Sequence, residues 1–271
     1  MKKTIYAVSD IHGDFMALLQ GLKDAGYSEK NENALLISIG DAFDRGTESK
    51  EVYEFLNRLK DQGKAIILKG NHTKFFEDYL TGKSINEYNY VNNGTNTTFA
   101  SFLGLNSTNP FIDWFYNKTN DKFVTPAQID FAKWLAYAKE KINKEYPLLL
   151  EQMQSLPYYF ETKNYIFTHG AIDTSAKNWR VPHCSRYNLI DWDALTFDDG
   201  SFFGKEINNT DKTIVIGHFG TRHLRKIYNI GESLDDSILF RDDGKVIAID
   251  ATTILSHKVN VLVIPNEELL D

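Results

Sequence analysis

The chain has 271 residues, of which 42% are hydrophobic, and it carries a formal net charge of -7. This apolar content is large enough for a continuous core and argues against a disordered protein. Because nucleic acids are bound mainly through Lys and Arg, the acidic balance also argues against nucleic acid as a main partner.

The cysteine content and the first residues predict a cytoplasmic protein. Cys184 is the only cysteine, so an intrachain disulfide is excluded and a reducing compartment is the simplest interpretation. The opening segment MKKTIYAVSD reaches Asp10 and His12 before any apolar stretch that could form a signal-peptide core. No apolar run approaches the length of a membrane span, so we expect no membrane partner.

Five short apolar runs each end in a polar or glycine turn. Their length and β-branched content predict strands that are buried on both faces. The runs are TIYAVSD (Thr4–Asp10), LLISIGD (Leu35–Asp41), AIILKGNH (Ala65–His72), YIFTHG (Tyr165–Gly170) and TIVIGH (Thr213–His218).

Amphipathic helical patterns separate the first three runs, and each pattern stops at a glycine, Gly26 or Gly63. Alternation of strands and helices is typical of a parallel sheet. The predicted buried faces are Phe15, Leu18, Leu19 and Leu22 in the first helix and Val52, Phe55, Leu56 and Leu59 in the second.

The pattern changes near the C-terminal end. The segments VIAID and KVNVLVI, preceded by SILF and the turn Asp243-Gly244, predict antiparallel strands there.

Residues 84–160 lie between the third and fourth runs and are predicted to be a mostly helical insertion in a single domain, residues 1–271. Thr125, Pro126 and Gln128 form a capping-box start for one of its helices. The stripe Ile129, Phe131, Trp134, Leu135 and Ala138 predicts core packing in that helix.

The five runs also deliver side chains that can ligate metals. In open α/β sheets the carboxyl ends of strands gather ligands, so we expect these residues to converge although they are scattered in sequence. Nitrogen and oxygen ligands without sulfur suit Mn, Fe or Zn, and two such ions can hold a phosphoryl group between them. The residues are Asp10 and His12, Asp41, Asn71 with His72, His169, and His218.

Each of these residues also has a purely structural interpretation. An Asp or Asn after a strand is usually a turn residue or a helix cap, and a single His is more often a satisfied structural group. Turn chemistry does not require histidine at several strand ends, however, and the coincidence therefore favours a metal site.

Five sequence blocks resemble the phosphoprotein phosphatase family of calcineurin-like metallophosphoesterases, and in particular its bacterial branch of Ser/Thr protein phosphatases and symmetrical diadenosine tetraphosphate hydrolases. The resemblance implies an α/β fold with a central β-sandwich flanked by helices. The stretches NNGTNTTFASF, LPYYFE and AIDATT are also similar to the family. The five blocks are SDIHG, GDAFDRG, GNH, THG and GH.

The resemblance implies two divalent transition-metal ions, with manganese as the preferred metal and iron or zinc as alternatives. It implies that Asp10, His12 and Asp41 hold the first ion, and that the second is held by Asp41, Asn71, His169 and His218. Asp41 would bridge the two ions.

The resemblance also implies roles in catalysis. His72 would be the general acid that protonates the leaving oxygen, and Asp44 would orient it. Arg45 and Asn71 would bind the substrate phosphate, since an arginine fork matches phosphate oxygens. Outside this context, Asp44 and Arg45 would be interpreted as a surface ion pair.

The sequence departs from the family at several positions. Thr73 stands where an acidic residue is usual, which puts the support of His72 in doubt, and no arginine lies near Trp192 where a second phosphate-binding Arg is usual. Candidates for that role are Arg180, Arg186 and Arg222. His257 has no assigned role and is predicted to be an exposed strand residue.

Three functions are compatible with the sequence. The first is hydrolysis of phosphate monoesters by metal-bound hydroxide, with a phosphorylated protein or a small phosphoester as substrate. The second is symmetrical dinucleoside tetraphosphate hydrolysis, in which Tyr88, Tyr90 or Trp114 could stack on a base. The third is a catalytically silent binding protein. We expect the insertion to shape substrate choice and to contribute no essential chemical group, while the oligomeric state stays open.

Overall fold

The structure is a computed structural model that describes residues 1–107, 110–113, 131–174, 178–180, 201–205, 208–241 and 243–270. The described strands are β1 (Lys2–Val8), β2 (Ala34–Ile39), β3 (Ala65–Leu68), β4 (Tyr159–Glu161), β5 (Tyr165–Thr168), β6 (Thr213–Ile216), β7 (Leu239–Phe240), β8 (Val246–Ala248) and β9 (Leu262–Glu268). The described helices are α1 (Phe15–Asp24), α2 (Ser49–Asp61), α3 (Asn71–Thr81), α4 (Glu87–Asn92), α5 (Thr95–Phe102), α6 (Phe131–Glu145), α7 (Leu149–Gln154), α8 (Ser201–Lys205), α9 (Thr221–Tyr228) and α10 (Thr253–Ser256).

The strands form two sheets. In the first sheet the order is β3-β2-β1-β9, and β1, β2 and β3 run parallel, as the alternation of strands and helices predicted. In the second sheet the order is β4-β5-β6-β8-β7, with β5, β6 and β8 parallel. The carboxyl ends of two parallel sets of strands are therefore available for a site.

The two sheets pack face to face. Ile5, Ile37, Phe167, Val215 and Ile247, drawn from strands of both sheets, belong to one buried apolar cluster. The neighbouring residues along these strands point the other way and pack under helices. The central strands β1, β2, β5, β6 and β8 are thus buried on both faces, and the predicted α/β sandwich with flanking helices is confirmed.

The helices over the first sheet share one core with the helices of residues 84–160. Val52, Leu56 and Leu59 of α2 and Trp134 and Leu135 of α6 lie in the same cluster. The apolar stripe predicted for α6 is buried, as expected, whereas its predicted start at Thr125 to Ile129 lies outside the described residues.

One local prediction was wrong and another was borne out. Leu19 was placed on the buried face of α1, but it is 36% exposed, because Ala17 takes the inward position beside Leu18 and Leu22. The antiparallel strands predicted near the C-terminal end are confirmed: β7 pairs antiparallel with β8, and β9 crosses to the first sheet and lies antiparallel to β1.

Among the described residues, no helix combines the length and the apolar content that a bilayer crossing requires.

Candidate metal centre and active site

The loops that follow five parallel strands bring the predicted ligands together. They follow β1, β2, β3, β5 and β6, which belong to both sheets. One possible ligand atom from each of His12, Asp41 and His72 lies within 4.8 Å of the others, and the same holds for Asp41, His169 and His218. Asp41 belongs to both groups, so it lies where the two halves of the site meet.

Asp41 contacts residues from both sheets. Its Oδ2 is 3.1 Å from His169 Nε2, and its Oδ1 accepts a hydrogen bond of 3.0 Å from the backbone N–H of His72. Asn71 Oδ1 is 2.9 Å from the same His169 nitrogen. Gly70 is required here, because a Cβ at that position would lie 2.2 Å from Asp41 Oδ1.

Asp10 has one carboxylate oxygen engaged and one without a partner. Its Oδ2 accepts hydrogen bonds from the backbone N–H of His218, at 2.8 Å, and from the hydroxyl of Ser9. Its Oδ1 is buried without a hydrogen-bond partner among the described residues, and His12 Nε2 lies 3.9 Å away. A buried carboxylate oxygen without a donor is costly unless a cation compensates its charge.

Carbonyl oxygens fix the orientation of two imidazoles. A carbonyl can only accept, so the Nδ1–H of His169 donates to Ile39 O at 2.8 Å and the Nδ1–H of His12 donates to Phe43 O at 3.0 Å. In the neutral forms both Nε2 atoms therefore carry lone pairs that face the site. This is the tautomer arrangement that a metal-ligating histidine needs.

The pKa values of the histidines differ between the two halves of the site. Burial, together with the positive charges of His72 and Arg45, holds the pKa of His12 well below its usual range. Burial and the charge of His169 lower the pKa of His218 to about 3. Burial opposes the charge on His169 as well, but the carboxylates of Asp41 and Asp10 outweigh it and raise that pKa to about 9.

These residues fit a pair of divalent metal ions. The Nε2 atom of His169 faces an oxygen of Asp41 and an oxygen of Asn71. All three atoms can accept, so the arrangement is favourable only when a proton or a cation lies between them. The raised pKa of His169 reflects the same need for positive charge at this point. The donor set contains nitrogen and oxygen and no sulfur, which suits Mn, Fe or Zn.

The loops that carry the site have a strained backbone. A non-glycine residue with positive φ is uncommon, and such residues concentrate at functional sites. The site residues with φ between 48° and 72° are Asp10, His12, Asp41, Asp44, Arg45 and His218.

Next to the ligands, His72 and Asp44 form a buried pair. The Nδ1 atom of His72 is 2.8 Å from Asp44 Oδ2, and neither side chain is more than 2% exposed. His72 lies in the first turn of α3, which begins at Asn71 directly after Gly70. The carboxylate therefore fixes the imidazole with Nε2 turned toward the site.

Arg45 forms a bridge between two histidines. Its Nη1 and Nη2 atoms each lie 3.1 Å from an imidazole Nε2, one of His12 and one of His72. Arg45 is exposed and lines a concavity of about 220 Å³ together with His12 and His218. Its guanidinium is thus placed where a phosphate group could reach it.

The structure locates two of the three candidates for a second phosphate-binding arginine. Arg180 donates to both carboxylate oxygens of Glu161, and Arg222 donates to both oxygens of Asp236. Neither lines the concavity at Arg45. Arg186 lies outside the described residues, as does Trp192.

Three residues of the site were not predicted as such. Asp250 follows β8, is buried, and has a pKa raised well above the usual range by burial and by the carboxylate of Asp10. Its position after a parallel strand was a signal that could have identified it. Thr95 and Thr98 of α5 donate hydrogen bonds to Asp44, and they lie in the family-like stretch NNGTNTTFASF, to which no role was assigned from the sequence.

The remaining candidate residues have structural positions. Thr73 is buried and faces a small apolar cavity lined by Leu56, Ile67 and Met153, an environment in which an unpaired acidic side chain would be costly. His257 is exposed, as predicted, but it follows α10 instead of lying in a strand, and its Nδ1 is 3.3 Å from Asp14 Oδ2.

The aromatic residues considered for base stacking are placed differently from one another. Tyr90 is fully buried, and its hydroxyl accepts a hydrogen bond from Trp134, so the suggestion that it could stack on a base was wrong. Tyr88 is 75% exposed, and Trp114 lies outside the described residues.

A comparison with protein families matches the region that contains the site. A family profile described as Calcineurin-like phosphoesterase matches residues 3–249. The match includes every predicted ligand from Asp10 to His218.

Two curated relatives carry functional names. Shewanella-like protein phosphatase 1 of Plasmodium berghei is 26% identical over 204 residues, which cover 66% of this chain and 53% of that protein. The asymmetrical bis(5'-nucleosyl)-tetraphosphatase PrpE of Bacillus subtilis is 32% identical over 104 residues, which cover 36% of this chain and 41% of that protein. The chain thus spans about half the length, or less, of these curated relatives.

A solved structure shares the fold. The cold-active protein-tyrosine phosphatase of a psychrophilic Shewanella species superimposes with a TM-score of 0.57 and 18% sequence identity. The alignment covers 97% of this chain and 76% of that one. At this identity the likeness establishes the fold alone.

Proposed function

The chain belongs to the calcineurin-like phosphoesterase family, and we propose that it hydrolyses phosphate monoesters in the manner of a serine/threonine protein phosphatase. Membership of the family makes it a metallophosphoesterase, and the name of the Plasmodium relative supports a phosphorylated protein as substrate. The observation that carries the proposal is the convergence of nitrogen and oxygen ligands around Asp41 beside the buried His72–Asp44 pair.

The proposal assigns two divalent ions to the site, with manganese as the preferred metal. Asp10, His12 and Asp41 would hold one ion, and the other would be held by Asp41, Asn71, His169 and His218. When bound, such ions neutralise phosphate charge and lower the pKa of a bound water to near neutrality.

Arg45 is proposed to bind the substrate phosphate, with Asn71 as a second contact. The guanidinium offers a planar fork of donors that matches two phosphate oxygens. In the structure this fork is directed at the Nε2 atoms of His12 and His72. When the guanidinium turns to a phosphate, it therefore frees one nitrogen for a metal and the other for the leaving oxygen.

His72 is proposed to protonate the leaving group. An alkoxide leaves poorly without a proton, so a positioned acid accelerates the cleavage of serine and threonine phosphates. The proton would be held at Nε2, because the Nδ1–H is already donated to Asp44. Asp44 fixes the tautomer and the orientation of the imidazole.

A second candidate function is hydrolysis of dinucleoside tetraphosphates. The PrpE relative favours it, although its name specifies asymmetrical cleavage, whereas the resemblance in the sequence suggested the symmetrical reaction. The third candidate, a catalytically silent binding protein, is disfavoured because every predicted ligand and His72 are present and converge.

A metal-dependent activity panel separates these functions. Protein supplied with Mn²⁺ is assayed on p-nitrophenyl phosphate, phosphoserine and phosphothreonine peptides, and diadenosine tetraphosphate, with Asp41→Asn protein as the control for contaminating phosphatases. Preference for the peptides supports the proposal. Faster cleavage of the dinucleotide favours the second function, and its products, two ADP or ATP with AMP, define the symmetry. No metal-dependent turnover of any substrate would contradict an enzymatic function.

A further inference from the structure

We propose that Thr95 and Thr98 of α5 are positioning residues for the leaving-group acid, acting on His72 through Asp44. The inference rests on the proposed function, in which His72 protonates the leaving oxygen. It assigns a part in catalysis to the helical segment 84–160, from which no essential chemical group was expected.

Hydroxyl groups occupy both oxygens of the Asp44 carboxylate. Thr98 Oγ1 donates to Asp44 Oδ1 at 2.7 Å, and Thr95 Oγ1 donates to Asp44 Oδ2 at 3.0 Å. The same Thr98 oxygen accepts the backbone N–H of Asp44 at 2.8 Å. Both side chain and backbone of Asp44 are therefore held by α5.

The three side chains have no access to water. Thr95, Thr98 and Asp44 are each 0% exposed. Hydrogen bonds in such an environment are strong, and a partner that is lost cannot be replaced by solvent. The rotamer of Asp44, and with it the direction of His72, thus depends on these two hydroxyls.

The backbone of this loop also needs external support. Asp44 and Arg45 have left-handed φ values of 71° and 72°, a conformation that persists only where the surroundings impose it. Arg45 N–H donates to Gly94 O at 3.1 Å, and a Cβ at Gly94 would lie 2.5 Å from Arg45 N. The start of α5 is therefore packed directly against the loop that carries the acid's partner.

The helix offers a matched control. Thr97 is also buried, at 8% exposure, but its hydroxyl donates to Gly94 O at 2.8 Å within its own turn. Replacing Thr97 by Val removes a buried hydroxyl from the same helix without removing a hydrogen bond to Asp44.

The test compares Thr98→Val, Thr95→Val and Thr97→Val with Thr98→Ser, which keeps the hydroxyl. Each protein, supplied with Mn²⁺, is assayed on a phosphoserine peptide, whose leaving group needs a proton, and on p-nitrophenyl phosphate, whose leaving group needs it less. We expect Thr98→Val to lose about tenfold more activity on the peptide than on the aryl phosphate, with a smaller effect for Thr95→Val. Thr97→Val and Thr98→Ser should keep the wild-type ratio.

A double-mutant comparison distinguishes positioning from general destabilisation. If the threonines act through His72, then Thr98→Val in a His72→Asn background should not change the ratio between the two substrates further. Circular dichroism and elemental analysis establish that each variant is folded and retains its metals. If Thr98→Val does not fold, Thr95→Val serves as the test, because it leaves both contacts of Thr98 to Asp44 in place.

Two results would overturn the inference. One is an equal loss on both substrates in folded, metal-loaded Thr98→Val and Thr95→Val proteins. The other is a change of ratio that persists without His72. In either case an active wild-type enzyme leaves the proposed function standing, whereas a wild-type protein that hydrolyses neither substrate removes the proposed function and the inference together.

Discussion

The two sheets contribute differently to the site. The loops of the first sheet carry Asp10, His12, Asp41 and Asn71 together with the pair His72–Asp44. The loops of the second sheet add His169 and His218, which contact the ligand Asp41 or Asp10. In the proposed function, metal retention therefore depends on both sheets, while leaving-group protonation depends on the first sheet and the helix α5 that packs on it.

The two halves of the site also differ in charge. On the first-sheet side, Arg45 lies against His12 and His72, and burial together with the charges of His72 and Arg45 keeps the pKa of His12 low. Toward the second sheet, the carboxylates of Asp41 and Asp10 raise the pKa of His169 to about 9. Positive charge on the first-sheet side is therefore supplied by an arginine, whereas toward the second sheet the carboxylates favour the protonated form of His169.

The largest effect is expected at Asp41, which belongs to both halves. Asp41→Asn removes the charge that both groups of ligands share, so both ions should be lost or misplaced. Metal ions supply several kcal/mol of charge stabilisation, so activity on every substrate should fall about a thousandfold or more. Elemental analysis and turnover of p-nitrophenyl phosphate measure the two losses, and retained full activity would contradict the bridging role.

Replacement of His72 should separate leaving-group protonation from metal binding. We expect His72→Asn to keep both metals and to lose about a hundredfold to ten-thousandfold on a phosphoserine peptide, with a much smaller loss on p-nitrophenyl phosphate. His218→Asn, on the opposite sheet, is the matched control and should lose metal and reduce both activities alike.

Two outcomes would refute this assignment of His72. Equal losses on both substrates with unchanged metal content would mean that His72 stabilises phosphate charge. Loss of metal would mean that His72 is a ligand. Metal content must therefore be measured, because His72 lies close to His12 and Asp41.

A smaller effect of the same kind is expected at Asp44. Asp44→Asn disturbs the orientation of His72 without removing it, so the selective loss on the peptide should be about tenfold to a hundredfold. The ratio of kcat/KM for the two substrates measures it. A loss larger than that of His72→Asn would show that Asp44 has a further role.

The smallest expected effect concerns protons released on metal binding. Because the carboxylates of Asp41 and Asp10 raise the pKa of His169 to about 9, we expect its imidazole to carry a proton at pH 7 before metal binds, whereas ligation requires the neutral imidazole. Binding at pH 7 should therefore release about one proton from His169, and the release should vanish as the pH rises through about 9. Calorimetry in buffers with different protonation enthalpies counts these protons, and no release at pH 7 would contradict the raised pKa.

Much of the fold could be predicted from local patterns. The apolar runs and the helical stripes of α2 and α6 identify elements whose burial the structure confirms, because periodicity reports which face is buried. The placement of β9 beside β1 could not be predicted, since it depends on pairing between segments at opposite ends of the chain.

In the site, too, some features could be predicted from the sequence and others could not. The candidate ligands could be predicted because each directly follows a strand, and parallel strands place such residues at one edge. The contacts of Asp44 with Thr95 and Thr98 join residues 51 and 54 positions apart through buried hydroxyls. Threonines within a helix carry no pattern that distinguishes such a role, and these contacts became visible only in the structure.

The central claim is that the loops of both sheets together hold two metal ions. Elemental analysis of the wild-type chain, purified with Mn²⁺ supplied and freed of loosely bound metal, tests it most directly. The arrangement around Asp41 predicts two transition-metal ions per chain. One tightly bound ion or fewer would contradict a dinuclear centre.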